Sequence, residues 1–184
     1  MLGKRIFDIV FSILGLLFLG CFIGLTFLIA SIDTNSNGIF KQIRVGQFGQ
    51  LFTIFKLKTI HPKNQKISKI GTFFRKYKID EFPQFYNVLI GDMSFVGPRP
   101  DIQGYYDLLK GENRQILELK PGITGLASLK YAKEEEILLN QENPTFYNNH
   151  IIFPDKIKIN LEYQKNRTLL IDFKIIIKTF FNYT

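Results

Sequence analysis

The chain has 184 residues, 46% hydrophobic and 15% aromatic, enough to bury a real core without disulfide or metal staples and too apolar for a disordered chain. One Cys and two His (His61 and His150) exclude a disulfide framework and a cysteine-based zinc site, and leave little for a His-rich metal centre. A formal charge of +8 points to an anionic partner: nucleic acid, an anionic membrane or a phosphorylated substrate.

Ile9 to Ile32 contains no charged residue, and its polar positions are Ser12, Thr26 and Ser31. As a helix this run of about 24 residues is roughly 36 Å long, enough to cross a bilayer core of about 30 Å. A spanning anchor is one reading. A signal peptide is another, since Lys4-Arg5 precedes the run and Phe18-Leu19-Gly20-Cys21 loosely resembles a lipoprotein cleavage box. Asp8 at the start and the apolar residues continuing past Cys21 argue against processing. Charge argues against one straight span. Lys4 and Arg5 precede the run, and from Lys41 to Ile79 there are ten basic residues and no acidic one. The positive-inside tendency puts both flanks in the cytoplasm, which a helix that enters and returns to the same face satisfies. Gly15, Gly20 and Gly24 are candidate weak points for such a bend, or Gly20 and Gly24 a helix-packing pair.

The β-rich segments Ile39–Arg44 and Leu51–Lys58, with Gly46-Gln-Phe-Gly49 between them, predict a hairpin. A lysine-rich loop follows from His61-Pro62. Ser68 is placed to cap a helix running to about Tyr77. Asp80 is placed to N-cap the next helix, with Pro83 in its first turn and Gly91-Asp92 at its end. Gly97-Pro98-Arg99-Pro100 is a rigid turn, fixed on both sides of Arg99 by proline. Arg167 to Tyr183, rich in Ile and Phe, reads equally as an amphipathic helix on a membrane or a core-packing helix.

Asp80 and Glu81 are the first acids after 46 residues without one. At a helix N-terminus within a basic stretch, the positive potential favours ionised carboxylates and gathers phosphate oxygens. Such a carboxylate suits a phosphoryl-accepting nucleophile or a Mg²⁺ ligand. The plainer alternative is an ordinary N-cap followed by a surface Glu.

The string Asp80-Glu-Phe-Pro-Gln-Phe-Tyr-Asn-Val-Leu-Ile-Gly-Asp-Met-Ser-Phe-Val-Gly-Pro-Arg-Pro100 resembles the central signature of the bacterial monotopic phosphoglycosyl transferases. Lys4-Arg5-Ile6-Phe7-Asp8, Gln42-Ile-Arg-Val-Gly46, Phe55-Lys-Leu-Lys-Thr59, Lys120-Pro-Gly-Ile-Thr-Gly125 and Tyr163 to Thr179 are similar to further family segments, in order along nearly the whole chain. The resemblance implies transfer of a phospho-sugar from a UDP-sugar to polyprenol (undecaprenyl) phosphate, with release of UMP, to initiate glycoconjugate assembly. It implies Asp80 as the nucleophile that forms a covalent intermediate, and Glu81 as a residue that helps hold Mg²⁺ or shapes the site. Asp80 and Glu81 are thus the candidate metal ligands, and Arg75, Arg99 and Lys58 the candidate phosphate-binding residues. It also implies a re-entrant N-terminal helix and a seat on the cytoplasmic face of the bacterial inner membrane, with no nucleic-acid partner.

The chain departs from the family pattern twice. Gly20-Cys21 stands where a Ser-Pro pair often breaks the membrane helix. Ala132 stands at a frequent Arg position, with Lys130 or Lys133 as candidate substitutes. The expected fold is therefore α+β and mostly helical: a re-entrant helix over 1–33, then a catalytic domain over 34–184 with a small hairpin and amphipathic surface helices. The competing reading is a non-catalytic, membrane-anchored basic module that binds anionic lipid or nucleic acid.

Overall fold

Leu2–Asp33 forms a single helix, α1, of 32 residues, about 48 Å long at the helical rise. It is long and apolar enough to cross a membrane. Its hydroxyls are satisfied internally. Ser12 Oγ donates to the Ile9 carbonyl at 3.0 Å, Thr26 Oγ1 to Phe22 at 2.9 Å, and Ser31 Oγ to Phe27 at 2.8 Å. This back-bonding is how three polar residues are accommodated in an apolar helix. Gly20 and Cys21 continue the helix without interruption.

The computed structural model describes the backbone of residues 2–183 and the side chains of residues 2–181. It divides into two units. The first takes the chain through Arg44 together with Leu51–Ser94; the second takes Val45–Gln50 with Phe95–Asn182.

In the first unit α1 packs along its length on the elements that follow. Arg5 donates from both terminal nitrogens to the carbonyls of Val88 and Leu89, at 2.6 and 2.7 Å, capping the C-terminal end of α3 (Gln84–Ile90). Asp8 accepts from Ser94 Oγ at 3.0 Å. Further along, the Phe22 ring lies 6.0 Å from that of Phe82. Ala30 is buried in a cluster with Leu57, Phe74 and Ile79. Leu17, Phe18, Leu25, Leu28 and Ile32 are exposed.

The predicted hairpin is present as β1 (Ile39–Val45) and β2 (Leu51–Leu57), paired to each other. The Gln47–Gly49 turn between them takes left-handed backbone at Phe48 and Gly49. Ser68 caps α2 (Lys69–Lys76) as expected, accepting from Gly71 N–H at 2.8 Å. Gly91, at φ +99°, ends α3.

The second unit contains a pairing that the sequence did not announce. β3 (Ser94–Val96), whose first residue belongs to the first unit, runs beside β4 (Gly122–Thr124). The two glycine-proline motifs meet there. Gly97 N–H donates to Thr124 at 2.9 Å and Gly122 N–H to Pro98 at 2.8 Å. A Cβ on Gly97 would stand 2.2 Å from the Lys120 carbonyl oxygen, and one on Gly122 would stand 2.1 Å from the Gly97 nitrogen. Only glycine permits backbones this close. The helices α4 (Leu126–Lys130), α5 (Glu134–Leu139), α6 (Pro144–Tyr147), α7 (Phe153–Asn166) and α8 (Leu169–Tyr183) complete the unit. Val45, Tyr106, Ile116, Leu117 and Ile157 form one cluster; Val96, Leu119, Tyr163 and Ile175 form another.

α8 has a buried side, as the core-packing reading expects, and an exposed apolar side. Ile175 is buried, and Asp172 accepts from Tyr163 Oη in the interior. Leu170, Phe173, Phe180 and Phe181 are exposed.

Candidate active site

The segment between α2 and α3 is short and tightly specified. Lys78 takes left-handed backbone at φ +55° and turns the chain out of α2. Ile79 then drops into the Ala30, Leu57 and Phe74 cluster and anchors the single 3₁₀ turn Ile79–Glu81. Burying Ile79 draws the next two residues inside with it: Asp80 is 8% exposed and Glu81 5%. A surface Glu is therefore excluded.

The predicted capping role of Asp80 is not observed. Neither the turn nor α3 receives a side-chain cap; Lys78 and Pro83 occupy the positions before them. Asp80 lies inside the turn, and its Oδ1 is buried with no hydrogen-bond partner. Glu81 differs. Its Oε1 accepts from Lys56 Nζ at 3.0 Å, in an ion pair with both side chains largely buried. Two adjacent carboxylates thus have different environments, one tied and one untied.

Burial, and then the negative charge of Glu81, push the Asp80 carboxyl above the ordinary aspartate value of 3.8; Lys56, Lys78 and Arg75 pull it down only in part. The basic surroundings, expected to govern this group, do not. Desolvation outweighs them. The consequence is a more basic and less solvated carboxylate than an exposed aspartate, which favours nucleophilic use of its free oxygen.

Arg75 is half-buried at the end of α2 and donates from Nε to Thr59 Oγ1 at 2.9 Å. Lys58, two residues beyond Lys56, donates instead to Ser36 Oγ at 3.1 Å. Arg99 belongs to the second unit, where it is exposed in its proline-bracketed turn. The candidates to replace an Arg at Ala132 are engaged with acids: Lys130 with Asp155 at 2.6 Å, and Lys133 with Glu136 at 3.6 Å.

Two residues escaped the sequence reading. Lys56 was one cation among ten, and its pairing with Glu81 depends on a contact 25 positions away. Gln84 is 2% exposed, and its Nε2 is buried without a partner. An amide among Phe and Tyr residues carries no local signal.

Among the described residues no group of three or more His, Cys, Asp or Glu is arranged to cage a metal. Mg²⁺ needs less: one or two carboxylates together with substrate phosphates are a common set. The buried Asp80 carboxylate supplies oxygen of the hard type that such an ion takes.

A family model described as "Bacterial sugar transferase" matches residues 1–184, and the chain belongs to that family. It is 33% identical to Galactosyl transferase CpsE of Streptococcus agalactiae serotype III (strain NEM316), over 97% of this chain and 41% of that protein. It is 32% identical to the uncharacterized sugar transferase EpsL of Bacillus subtilis (strain 168), over 97% of this chain and 86% of that one. Against the UDP-glucose:undecaprenyl-phosphate glucose-1-phosphate transferase of Klebsiella pneumoniae, identity is 32% over 98% of this chain and 40% of the relative. The chain therefore spans about two fifths of two of these relatives and most of the third.

Proposed function

We propose that this chain transfers a phospho-sugar from a UDP-sugar to polyprenol phosphate in two displacements at one phosphorus. In the first, Asp80 Oδ1 bonds to the sugar-bearing phosphorus, the P–O bond to the uridylyl phosphate breaks, and UMP leaves with the electron pair. In the second, an oxygen of polyprenol phosphate attacks the same phosphorus. The bond to Asp80 then breaks, giving the polyprenol-diphosphate sugar and the free carboxylate. The observation that carries this reading is the buried Asp80 oxygen with no partner, beside a Glu81 already neutralised by Lys56. A nucleophile must have an uncommitted lone pair, and a carboxylate accepting several hydrogen bonds loses basicity.

Glu81 and Lys56 shape the site, and Arg75 supplies positive charge beside it. Mg²⁺ held by phosphate oxygens and by the other carboxylate oxygen of Asp80 would offset the diphosphate charge that repels an anionic nucleophile, leaving Oδ1 for the phosphorus. The exposed apolar side of α1 suits contact with the bilayer in which such an acceptor lipid resides. We place the protein on the cytoplasmic face of the inner membrane, attached from one side only. Contacts at both ends of α1 with a single unit support that placement.

The test is UMP release from a panel of UDP-sugars with undecaprenyl phosphate, with and without Mg²⁺. Repeated turnover should require both the lipid phosphate and the ion; with the lipid withheld, release should stop at about one UMP per chain and a UDP-sugar radiolabelled in the sugar should leave label on the protein. Absence of release from every donor would overturn the transferase reading. Release without protein labelling would favour a one-step transfer.

A further inference from the structure

We propose that Gln84 is a binding residue for the transferred group, donating through Nε2 to a phosphoryl oxygen of the species held at Asp80. This rests on the reading of Asp80 as the group that meets phosphorus. From Ile79 through Ile90 the backbone is right-handed helical, first as the 3₁₀ turn, then through Phe82 and Pro83, then as α3. Gln84 follows Asp80 by four positions, about one turn of helix. Each carries a buried polar atom without a partner: an acceptor on Asp80, a donor on Gln84. They are complementary, yet they are not bonded to each other.

Asn87, on the same helix, shows what a structural amide looks like here. Its Nδ2 donates to the Thr53 carbonyl at 2.8 Å, and its Oδ1 accepts from Phe55 N–H at 3.1 Å, tying α3 to β2. Gln84 Nε2 has no such tie. A buried donor left unmade costs stability, so the native sequence carries a local penalty at Gln84. A phosphoryl group bound at Asp80 Oδ1 relieves both defects. Its phosphorus occupies the free lone pair, and one of its outer oxygens accepts from the amide. The amide is neutral and cannot be titrated away, so it serves before and after the phosphorus changes hands. It selects an oxygen acceptor and gives a cation nothing from its N–H groups.

The test uses the full chain in detergent, comparing wild type with Gln84→Met, which keeps length and loses the donor, and with Gln84→Glu, which replaces the donor with an anion. Three quantities are read: melting temperature without ligand, its rise with UDP and Mg²⁺, and kcat and KM for UMP release. Gln84→Met should melt at or above the wild-type temperature without ligand, lose at least half of the UDP-induced rise, and fall at least tenfold in kcat/KM. Gln84→Glu should lose as much or more. A lower melting temperature in Gln84→Met with an undiminished UDP-induced rise would make Gln84 a structural residue and overturn the inference. So would a wild type whose melting temperature UDP leaves unmoved. If UDP stabilises the wild type through Gln84 but no donor yields UMP, the phosphoryl contact stands and the transferase reading falls. If the wild type releases UMP and Gln84→Met matches it in rate and in UDP-induced rise, the inference alone falls.

Discussion

Asp80 and Glu81 are neighbours in one turn of helix, and their surroundings separate them. Glu81 has Lys56 at 3.0 Å; Asp80 Oδ1 has nothing. Titratable groups pushed apart in this way usually divide the work of a site. The linkage has a definite sign. Folding raises the Asp80 pKa above 3.8, so the folded state holds this proton more tightly than the unfolded chain. The stability gained is fully present below 3.8 and is lost as pH rises through the folded value. At pH 8 the buried charge is therefore a burden, and Asp80→Asn removes it. We expect Asp80→Asn to reduce UMP release to background while melting a few degrees above wild type at pH 8, with that advantage shrinking as the pH is lowered toward 4. Thermal melts across pH check it. Retained activity would remove Asp80 as nucleophile, and a lower melting temperature at pH 8 would contradict its burial as a charge that its cationic neighbours offset only in part.

At the scale of elements, the long apolar helix is held by a few close contacts. Gly15 is the tight one: a Cβ there would stand 2.8 Å from two ring carbons of Phe85, whereas Gly20 and Gly24 have nothing within 4 Å. The reading of Gly20 and Gly24 as a close-packing pair thus finds no close approach among the described residues, and the glycine at a tight contact is Gly15. Gly15→Ala should destabilise the detergent-solubilised protein by about 1–3 kcal/mol through overpacking. Gly20→Ala should be neutral or gain up to about 1 kcal/mol in helix propensity. Denaturant melts of the two variants give the comparison, and equal effects would show that Gly15 does not set the approach of α1 to α3. The elements visible in the sequence were those coded locally. Alternating residues around Gly46 and Gly49 marked the hairpin, Ser68 marked a helix start, and Gly91 marked a stop. What stayed hidden was non-local. β3 and β4 are three residues each, too short for periodicity, and their pairing rests on Gly97 meeting Gly122 across 25 positions. The carboxylate pair was legible because it broke a long basic run; its burial was not, because that depends on Ile79 joining a cluster assembled from α1, β2 and α2.

For the molecule as a whole, the decisive question is which side of the membrane each end of α1 occupies. The helix is about 48 Å long against a bilayer core of about 30 Å, so length alone permits a span. The contacts do not favour one. Arg5 and Asp8 near its start hold α3 and Ser94, while Ala30 near its end joins Leu57 and Phe74, all within one unit. A spanning helix would have to give up one of these sets, including the two carbonyls of α3 that Arg5 caps. Charge gives the same answer, since Lys4-Arg5 and the ten cations from Lys41 to Lys78 flank the apolar run on both sides. Cysteine labelling decides the matter. The chain's single cysteine, Cys21, is replaced in a Cys21→Ser background, and Gly3→Cys, at an exposed position near the start of α1, is treated in intact cells with a membrane-impermeant thiol reagent. Protection until the inner membrane is permeabilised is the expected result and places the amino-terminal end on the cytoplasmic side. Labelling from outside would mean that α1 spans, that Arg5 releases α3, and that the packing of α1 on the first unit does not persist in the membrane.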